Sequence, residues 1–419
     1  MVKSKVGSNM NLSVDGDRLW DSLMTMAKIG ATAKGGVCRL ALTDLDRQAR
    51  DLFIAWCRSV DCSITIDQFG NIFARREGRD SSKPPVLTGS HLDSQPTGGK
   101  FDGAYGVLAG LEVLRTLNDT GYRTVAPIEV AVWTNEEGSR FSPPMIGSGT
   151  FAGIFDLQYA RDQIDEVGIT QGEALDSIGY SGSAAVGGRS VGAYFEAHIE
   201  QGPILENENK FVGAVSGAQG QRWYLVKVNG DEAHAGTTPM TARKDALHAA
   251  ARMITEVNRI ALAHSPYAVG TVGRLYSSPN SRNVIPGSAE LTIDLRHPED
   301  DQLEIMDAEL REALKEVADD LGLLVDVEQD YYAEPISFDQ TCIGLVRSAA
   351  ENFGYSYRDI VSGAGHDAVN IARIAPTGMI FIPCEGGISH NERESATLKH
   401  LVAGCNVLLY AMLGMADCD

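Results

Sequence analysis

Residues 85–103 read PVLTGSHLDSQPTGGKFDG. Pro85-Val86-Leu87-Thr88-Gly89 is an apolar run of strand length, and it stops at His91. Beyond Gly103, the residues Val107, Leu108, Leu111, Leu114 and Leu117 recur at the spacing of a helix with one apolar face. Ile128 to Trp133 is a second apolar strand, and it stops at Asn135-Glu136-Glu137. Strand, helix and strand with polar residues at the strand ends predict an open α/β sheet. Such sheets place ligands beyond the carboxyl ends of their strands.

Working outward, imidazoles and carboxylates gather in Gly-rich, turn-forming contexts. They occur at His91 and Asp93, at Asp102 in Lys100-Phe101-Asp102-Gly103, and at Glu136 and Glu137. They recur at His198 in Glu196-Ala197-His198-Ile199-Glu200-Gln201-Gly202 and at His390 in Ile388-Ser389-His390-Asn391-Glu392. Imidazole and carboxylate together are the usual ligands of zinc and similar divalent ions. His91 and Asp93 are two apart, so in extended backbone they point the same way. A ligating imidazole needs its second nitrogen held by an acceptor, which makes Asp93 the expected orienter of His91. A surface turn is the alternative for that pair. Asp102, ahead of a helix, reads either as a helix cap or as a carboxylate bridging two cations. The adjacent Glu136 and Glu137 repel one another unless a cation or a shared proton intervenes. One can ligate while the other takes a proton from water.

The middle of the chain has another rhythm. Strand patterns at 222–229, 267–276, 288–296 and 323–328 alternate with helical ones at 241–263 and 301–321. The order β-α-β-β-α-β is the split ferredoxin-like unit. It implies a discontinuous domain, 1–215 with 332–419, interrupted by an inserted domain at 216–331. Helices are then expected at 338–353, 367–373 and 393–415, with a strand at 378–383.

At 419 residues with 43% apolar and 22% charged residues, the chain has the composition of a soluble globular protein of two or three domains. A formal net charge of -20 argues against nucleic acid and against an anionic membrane as partners. The seven cysteines form no C-x-x-C pair, so reduced thiols and a cytoplasmic location are expected. The N-terminal residues are polar and lack the apolar core of a signal peptide. No apolar run reaches the ~20 residues that span a bilayer.

Taken together, GSHLDSQPTGGKFDG, TNEEGSRF, EAHIEQGPILE, GDEAHAGTTPM, SRNVIPG, DLR and SGAGHDA resemble the amidase/hydantoinase/carbamoylase branch of the M20 metallopeptidase-like hydrolases. The likeness runs from about Trp20 to Leu413. It implies an α/β metallohydrolase domain with a mixed sheet flanked by helices, and an inserted ferredoxin-like dimerisation domain. It implies two divalent ions, zinc first, with manganese, cobalt or nickel as alternatives. One would be held by His91, Asp102 and His198, the other by Asp102, Glu137 and His390. Glu136 would be the general base. The peptide bond after Asp102 would be cis. His234, Asn283 and Arg296 would reach a small ureido-acid substrate across a homodimer, with Gln201 and His366 as further contacts. The implied reaction is hydrolysis of an N-carbamoyl amino acid. Allantoate or another ureido acid is the nearest alternative substrate. An M20 peptidase or aminoacylase follows, and then a non-catalytic binding protein on the same fold.

Overall fold

The computed structural model describes residues 12–418. The polar N-terminal run discussed above lies outside them as far as residue 11. The chain divides into two compact units, one running to Ser216 and resuming at Phe338, the other Gly217–Ser337.

The first unit is built on a mixed sheet. Its strands lie in the order Ser63–Ile66, Ile72–Arg76, Ile128–Trp133, Val86–His91, Ala193–Ile199, Thr377–Ile382 and Val212–Ala218. The four central strands, 128–133, 86–91, 193–199 and 377–382, are mutually parallel. The flanking strands 72–76 and 212–218 run antiparallel to them. Every residue of the four central strands is buried. That is the state of parallel strands with helices on both faces, and it explains why 85–89, 128–133 and 378–383 read as apolar runs, whereas 193–199 carries buried Glu196 and His198. The expected α/β architecture with a mixed sheet flanked by helices is therefore what the chain adopts. Tyr357–Ser362, which pairs with 212–218, and 212–218 itself were not anticipated. Neither alternates clearly between polar and apolar residues.

Helix Ala104–Asp119 follows the first parallel strand and is buried along nearly its whole length. The closing helix begins at Leu398, not at Arg393, and runs to Ala416. At 19 residues with a mean hydropathy of 1.4 it is long and apolar enough to cross a membrane by length and composition. However, 67% of it is buried, with Leu401, Val407, Leu408 and Met412 in the apolar core, as in the core helix of a folded domain. The seven cysteines are free thiols, five of them buried.

The second unit has the order 220–229, helix 246–263, 269–278, 288–297, helix 300–320 and 324–333. Its four strands form an antiparallel sheet in the spatial order 324–333, 220–229, 288–297, 269–278. Strand Ser288–His297 alternates buried and half-buried residues throughout. Leu291, Ile293 and Leu295 meet Met253, Val257, Leu310 and Leu314 of the two helices in one core. The last strand, expected to end at Glu328, continues to Ala333 because it pairs along the ten-residue strand beside it, from Leu324 opposite Asn229 to Ala333 opposite Gln221.

One buried ion pair ties the first unit's helix Asp44–Arg58 to the strand ends. Arg50 and Asp46 are 1% and 0% exposed at 2.9 Å. Arg50 also donates to the Gly70 carbonyl at 2.7 Å and to Thr134 Oγ1 at 3.3 Å, just ahead of Glu136. Removing one partner strands a charge in the core. Arg50→Met is expected to destabilise the protein by ~3–5 kcal/mol, read as a lower urea midpoint, with Asp46→Leu/Arg50→Met recovering part of the loss. An unchanged midpoint for Arg50→Met would contradict this account.

Candidate metal centre

The parallel strands deliver their ends to one place. His91 is the last residue of its strand, His198 the penultimate residue of its strand, Glu136 and Glu137 follow Trp133 by a short turn, and His390 lies in the loop after Ile382. Asp102 arrives from the segment between His91 and helix 104–119. His91, Asp102 and His198 form one set whose ligand atoms lie within 4.8 Å of one another, and Asp102, Glu137 and His390 form a second. Asp102 belongs to both. Its Oδ1 lies 3.1 Å from His198 Nε2 and 3.6 Å from His91 Nε2, while its Oδ2 lies 3.4 Å from His390 Nε2. Glu137 Oε2 is 3.4 Å from the same His390 nitrogen. Glu136 stands apart from both sets, with Oε2 3.3 Å from His91 Nε2.

Two of the three imidazoles are fixed from behind. His198 Nδ1 meets the Ile199 carbonyl at 2.9 Å and His91 Nδ1 the Asp93 carbonyl at 2.9 Å. The carboxylate of Asp93, expected to orient His91, is 3.9 Å away. It instead accepts the backbone N–H groups of Glu136 and Glu137 at 3.3 and 3.2 Å. The His-x-Asp spacing brings both residues in, but the main-chain oxygen holds the ring and the side chain holds the glutamate turn. Gln95 donates to Glu137 from its backbone at 3.0 Å and from its side chain at 2.7 Å.

Asp102 does not cap the helix that follows it. Gly103 is the cap residue, at φ +64°, and no side chain bonds to the first turn. A Cβ on Gly103 would lie 2.3 Å from the His91 ring. Glycine is therefore required twice, for the left-handed backbone and for space. The bond after Asp102 is not cis. Among the described residues the cis bonds are the Ser–Pro bonds at 142–143, 265–266 and 278–279. The turn into the site is made by the dihedrals of Gly103 instead.

Several groups at the site escaped sequence reading. Buried Glu196 accepts from Ser90 Oγ at 2.7 Å and from the Ala368 N–H at 2.8 Å. Buried Asp367 accepts from Ser148 Oγ. Buried Glu394 takes the N–H groups of Phe101 and Asp102. Their signal was a carboxylate beside an already marked segment, which is indistinguishable in one dimension from a solvated charge. Of the residues named as further contacts, Gln201, at φ +58°, donates to Asp102 Oδ2 at 2.9 Å. His366 is buried behind His198, with ring centroids 4.5 Å apart, and meets Ser362 Oγ at 3.0 Å.

The electrostatics fit a cation. Burial alone would raise Asp102, but its contacts with His198, His390 and His91 hold it well below the usual carboxylate range. Burial, helped by Asp367 and Glu137, lifts Glu136 well above that range against the pull of His91. Glu137 is pushed up to about 7 by burial and by Asp102. Burial and His198 push His366 well below the ordinary imidazole value. Carboxyls forced together in this way bind protons unless positive charge relieves them. Imidazole nitrogens converging on the same carboxylate are the donor set of a zinc-type ion.

His234, Asn283 and Arg296 belong to the second unit. His234 is exposed on a two-residue strand, Ala233–His234, that pairs with Val284–Ile285, the residues directly after Asn283. The Asn283 carbonyl accepts from the Ala235 N–H at 2.9 Å, so His234 and Asn283 share one small ladder. Arg296 points from its strand to Asp294, at 2.7 Å.

The family model for peptidase family M20/M25/M40 matches residues 87–414. A protein of Rhizobium meliloti named N-carbamoyl-L-amino-acid amidohydrolase is 48% identical over 407 residues, 97% of this chain and 98% of that one. A protein of Bacillus subtilis named allantoate amidohydrolase is 34% identical over 390 residues, 93% of this chain and 95% of that one. The solved structure of an amidase of the hydantoinase/carbamoylase family from Burkholderia multivorans matches with a TM-score of 0.96 and 57% identity, covering 98% of this chain and 100% of that chain.

Because Gly103 is pressed against the His91 ring, Gly103→Ala is expected to weaken divalent-ion binding by about 10–100-fold, as loss of support behind a ligand does. Calorimetric titration of chelator-treated protein measures this. Wild-type affinity in the variant would show that the close approach is unimportant.

Proposed function

The chain belongs to peptidase family M20/M25/M40, and we propose that it is a metal-dependent amidohydrolase that cleaves the ureido C–N bond of N-carbamoyl amino acids. One observation carries the reading. Asp102 is shared between two ligand sets while Glu136, beside them, is left out of both. Two divalent ions, zinc first and manganese, cobalt or nickel otherwise, would be held by His91, Asp102 and His198 and by Asp102, Glu137 and His390. When bound, such an ion polarises a carbonyl and makes water more acidic.

Glu136 takes the proton of the attacking water and passes it to the leaving nitrogen, the two-way role of a buried carboxyl with raised proton affinity. His234 and Asn283 donate to the developing oxyanion. Arg296 binds the substrate carboxylate with its planar fork, to which Asp294 would yield it. Gln201 meets the ureido amide. One water is consumed, and the products are the free amino acid, ammonia and carbon dioxide.

The 48% relative named for N-carbamoyl-L-amino acids favours that substrate over allantoate, whose named relative is 34% identical. A panel of N-carbamoyl-L-α-amino acids, β-ureidopropionate and allantoate decides it by kcat/KM. The expected result is preference for N-carbamoyl-L-α-amino acids, abolished by a chelator and restored by a divalent ion. Preference for allantoate would move the reading to the second substrate. Activity indifferent to chelation would remove the metal from it.

The groups of the second unit are proposed to come from the other copy in a homodimer. Glu136→Gln is expected to lower kcat by about 10³-fold with metal content retained. Arg296→Ala is expected to act mainly through KM. Coexpressing the two variants should then restore about a quarter of wild-type activity, because half of randomly paired symmetric dimers carry one intact site of two. No recovery would place Arg296 and Glu136 of one chain at the same site.

A further inference from the structure

Glu394 is 3% exposed and lies outside both ligand sets. Its Oε1 accepts the backbone N–H of Phe101 at 2.9 Å and that of Asp102 at 3.1 Å. Its Oε2 is 3.2 Å from Ser389 Oγ, and that same hydroxyl is 2.9 Å from Asp102 Oδ2. Ser389 precedes His390. One carboxylate thus grips the two segments that contribute Asp102 and His390, almost 300 residues apart in the chain.

The grip is tight. A Cβ on Gly99 would lie 2.0 Å from Glu394 Oε1, so the loop ahead of Asp102 closes onto this carboxylate and leaves no room for a side chain. The contact also falls on a particular oxygen of Asp102. Oδ1 faces His91 and His198, whereas Oδ2 faces His390 and is the oxygen that Ser389 touches. Ser389 has one proton to give and lies within hydrogen-bond reach of both carboxylates, 2.9 Å from Asp102 Oδ2 and 3.2 Å from Glu394 Oε2, so the hydroxyl bridges them. A second buried carboxylate one hydroxyl away from Asp102 is electrostatically unfavourable by itself. It becomes favourable when positive charge sits beyond Oδ2, because it adds to the field that attracts that charge.

We propose that Glu394, acting through Ser389 and the Phe101–Asp102 backbone, is a positioning residue for the Asp102–Glu137–His390 ion site. It fixes where Oδ2 and His390 stand relative to one another. The His91–Asp102–His198 site shares Asp102, but its two imidazoles stand at strand ends and are held by backbone carbonyls, so it depends on Glu394 less. The proposal rests on the two-ion reading above.

Chelator-treated full-length protein is titrated with Co²⁺ alone, followed by calorimetry and by the visible absorption of the bound ion. Wild type is expected to take up two Co²⁺ per chain. In Glu394→Gln one ion should bind within threefold of wild type while the other loses about 10–100-fold, and His390→Ala, titrated in parallel, should weaken that same ion. Ser389→Ala should weaken the same ion, and Ser389→Thr, which keeps the hydroxyl, should restore it. Thermal melting in chelator separates this from misfolding, and if Glu394→Gln fails to fold, the serine pair carries the test. Equal weakening of both ions, or weakening of neither, overturns the proposal. Uptake of a single Co²⁺ by wild type overturns the two-ion reading and the positioning role with it.

Discussion

The constraint on which the first unit depends is the position of one carboxylate. Asp102 has imidazole nitrogens of His198, His390 and His91 within 3.6 Å, approaching from both of its oxygens. Those rings come from two strand ends and one distant loop. A strand end is rigid, and a parallel sheet sets its strand ends side by side at fixed spacing. Asp102 itself rides on a loop, which has no such rigidity. The structure compensates from several directions: Gly103 lets the chain turn against the His91 ring, Glu394 takes two N–H groups of the loop, and Gln201 donates to Oδ2.

The same logic explains the surplus of buried acid. Asp93, Glu196, Asp367 and Glu394 are at most 3% exposed, and none is a member of either ligand set. Each hydrogen-bonds to the backbone or to a serine that supports a marked segment. Burying them costs free energy that an isolated fold would not recover. They are tolerable where a strongly positive group is held nearby.

What could be read in one dimension follows from this. Three of the parallel strands were legible because burial on both faces makes apolar runs, and the polar residues after two of them marked His91, Glu136 and Glu137, whereas His198 was marked by its own segment. The second unit was legible because strand 288–297 alternates without exception. The supporting shell was not. Glu394 sits among Asn391, Glu392 and Arg393, a run that resembles the charged start of a helix, and the helix begins only at Leu398. Its partners Phe101 and Asp102 are 293 and 292 residues away. Asp93 was found by spacing but misread in role, because spacing says which side chains converge and not whether a side chain or its carbonyl makes the bond. The cis bond expected after Asp102 came from resemblance alone, and the dihedrals of Gly103 do its work.

A ligand cluster of this kind constrains the reaction more than the substrate. Shared carboxylate, flanking imidazoles and one unligated glutamate suit attack of water on any amide-like carbonyl. They contain nothing that distinguishes a carbamoyl amino acid from allantoate, and relatives named for each substrate cover nearly the whole chain. Choice has to come from groups that recognise the rest of the molecule. On the proposed reading those are His234, Asn283 and Arg296, carried by a unit with its own sheet and its own apolar core. A separate core means that the recognising unit can change sequence without disturbing the strand ends that hold the acids and imidazoles. Arg296 illustrates the economy of that arrangement. It already holds a carboxylate, that of Asp294, at 2.7 Å, so exchanging it for a substrate carboxylate replaces one charge-assisted pair with another. The net gain is then small for a poor fit and appreciable only for a ligand whose ureido end is simultaneously engaged.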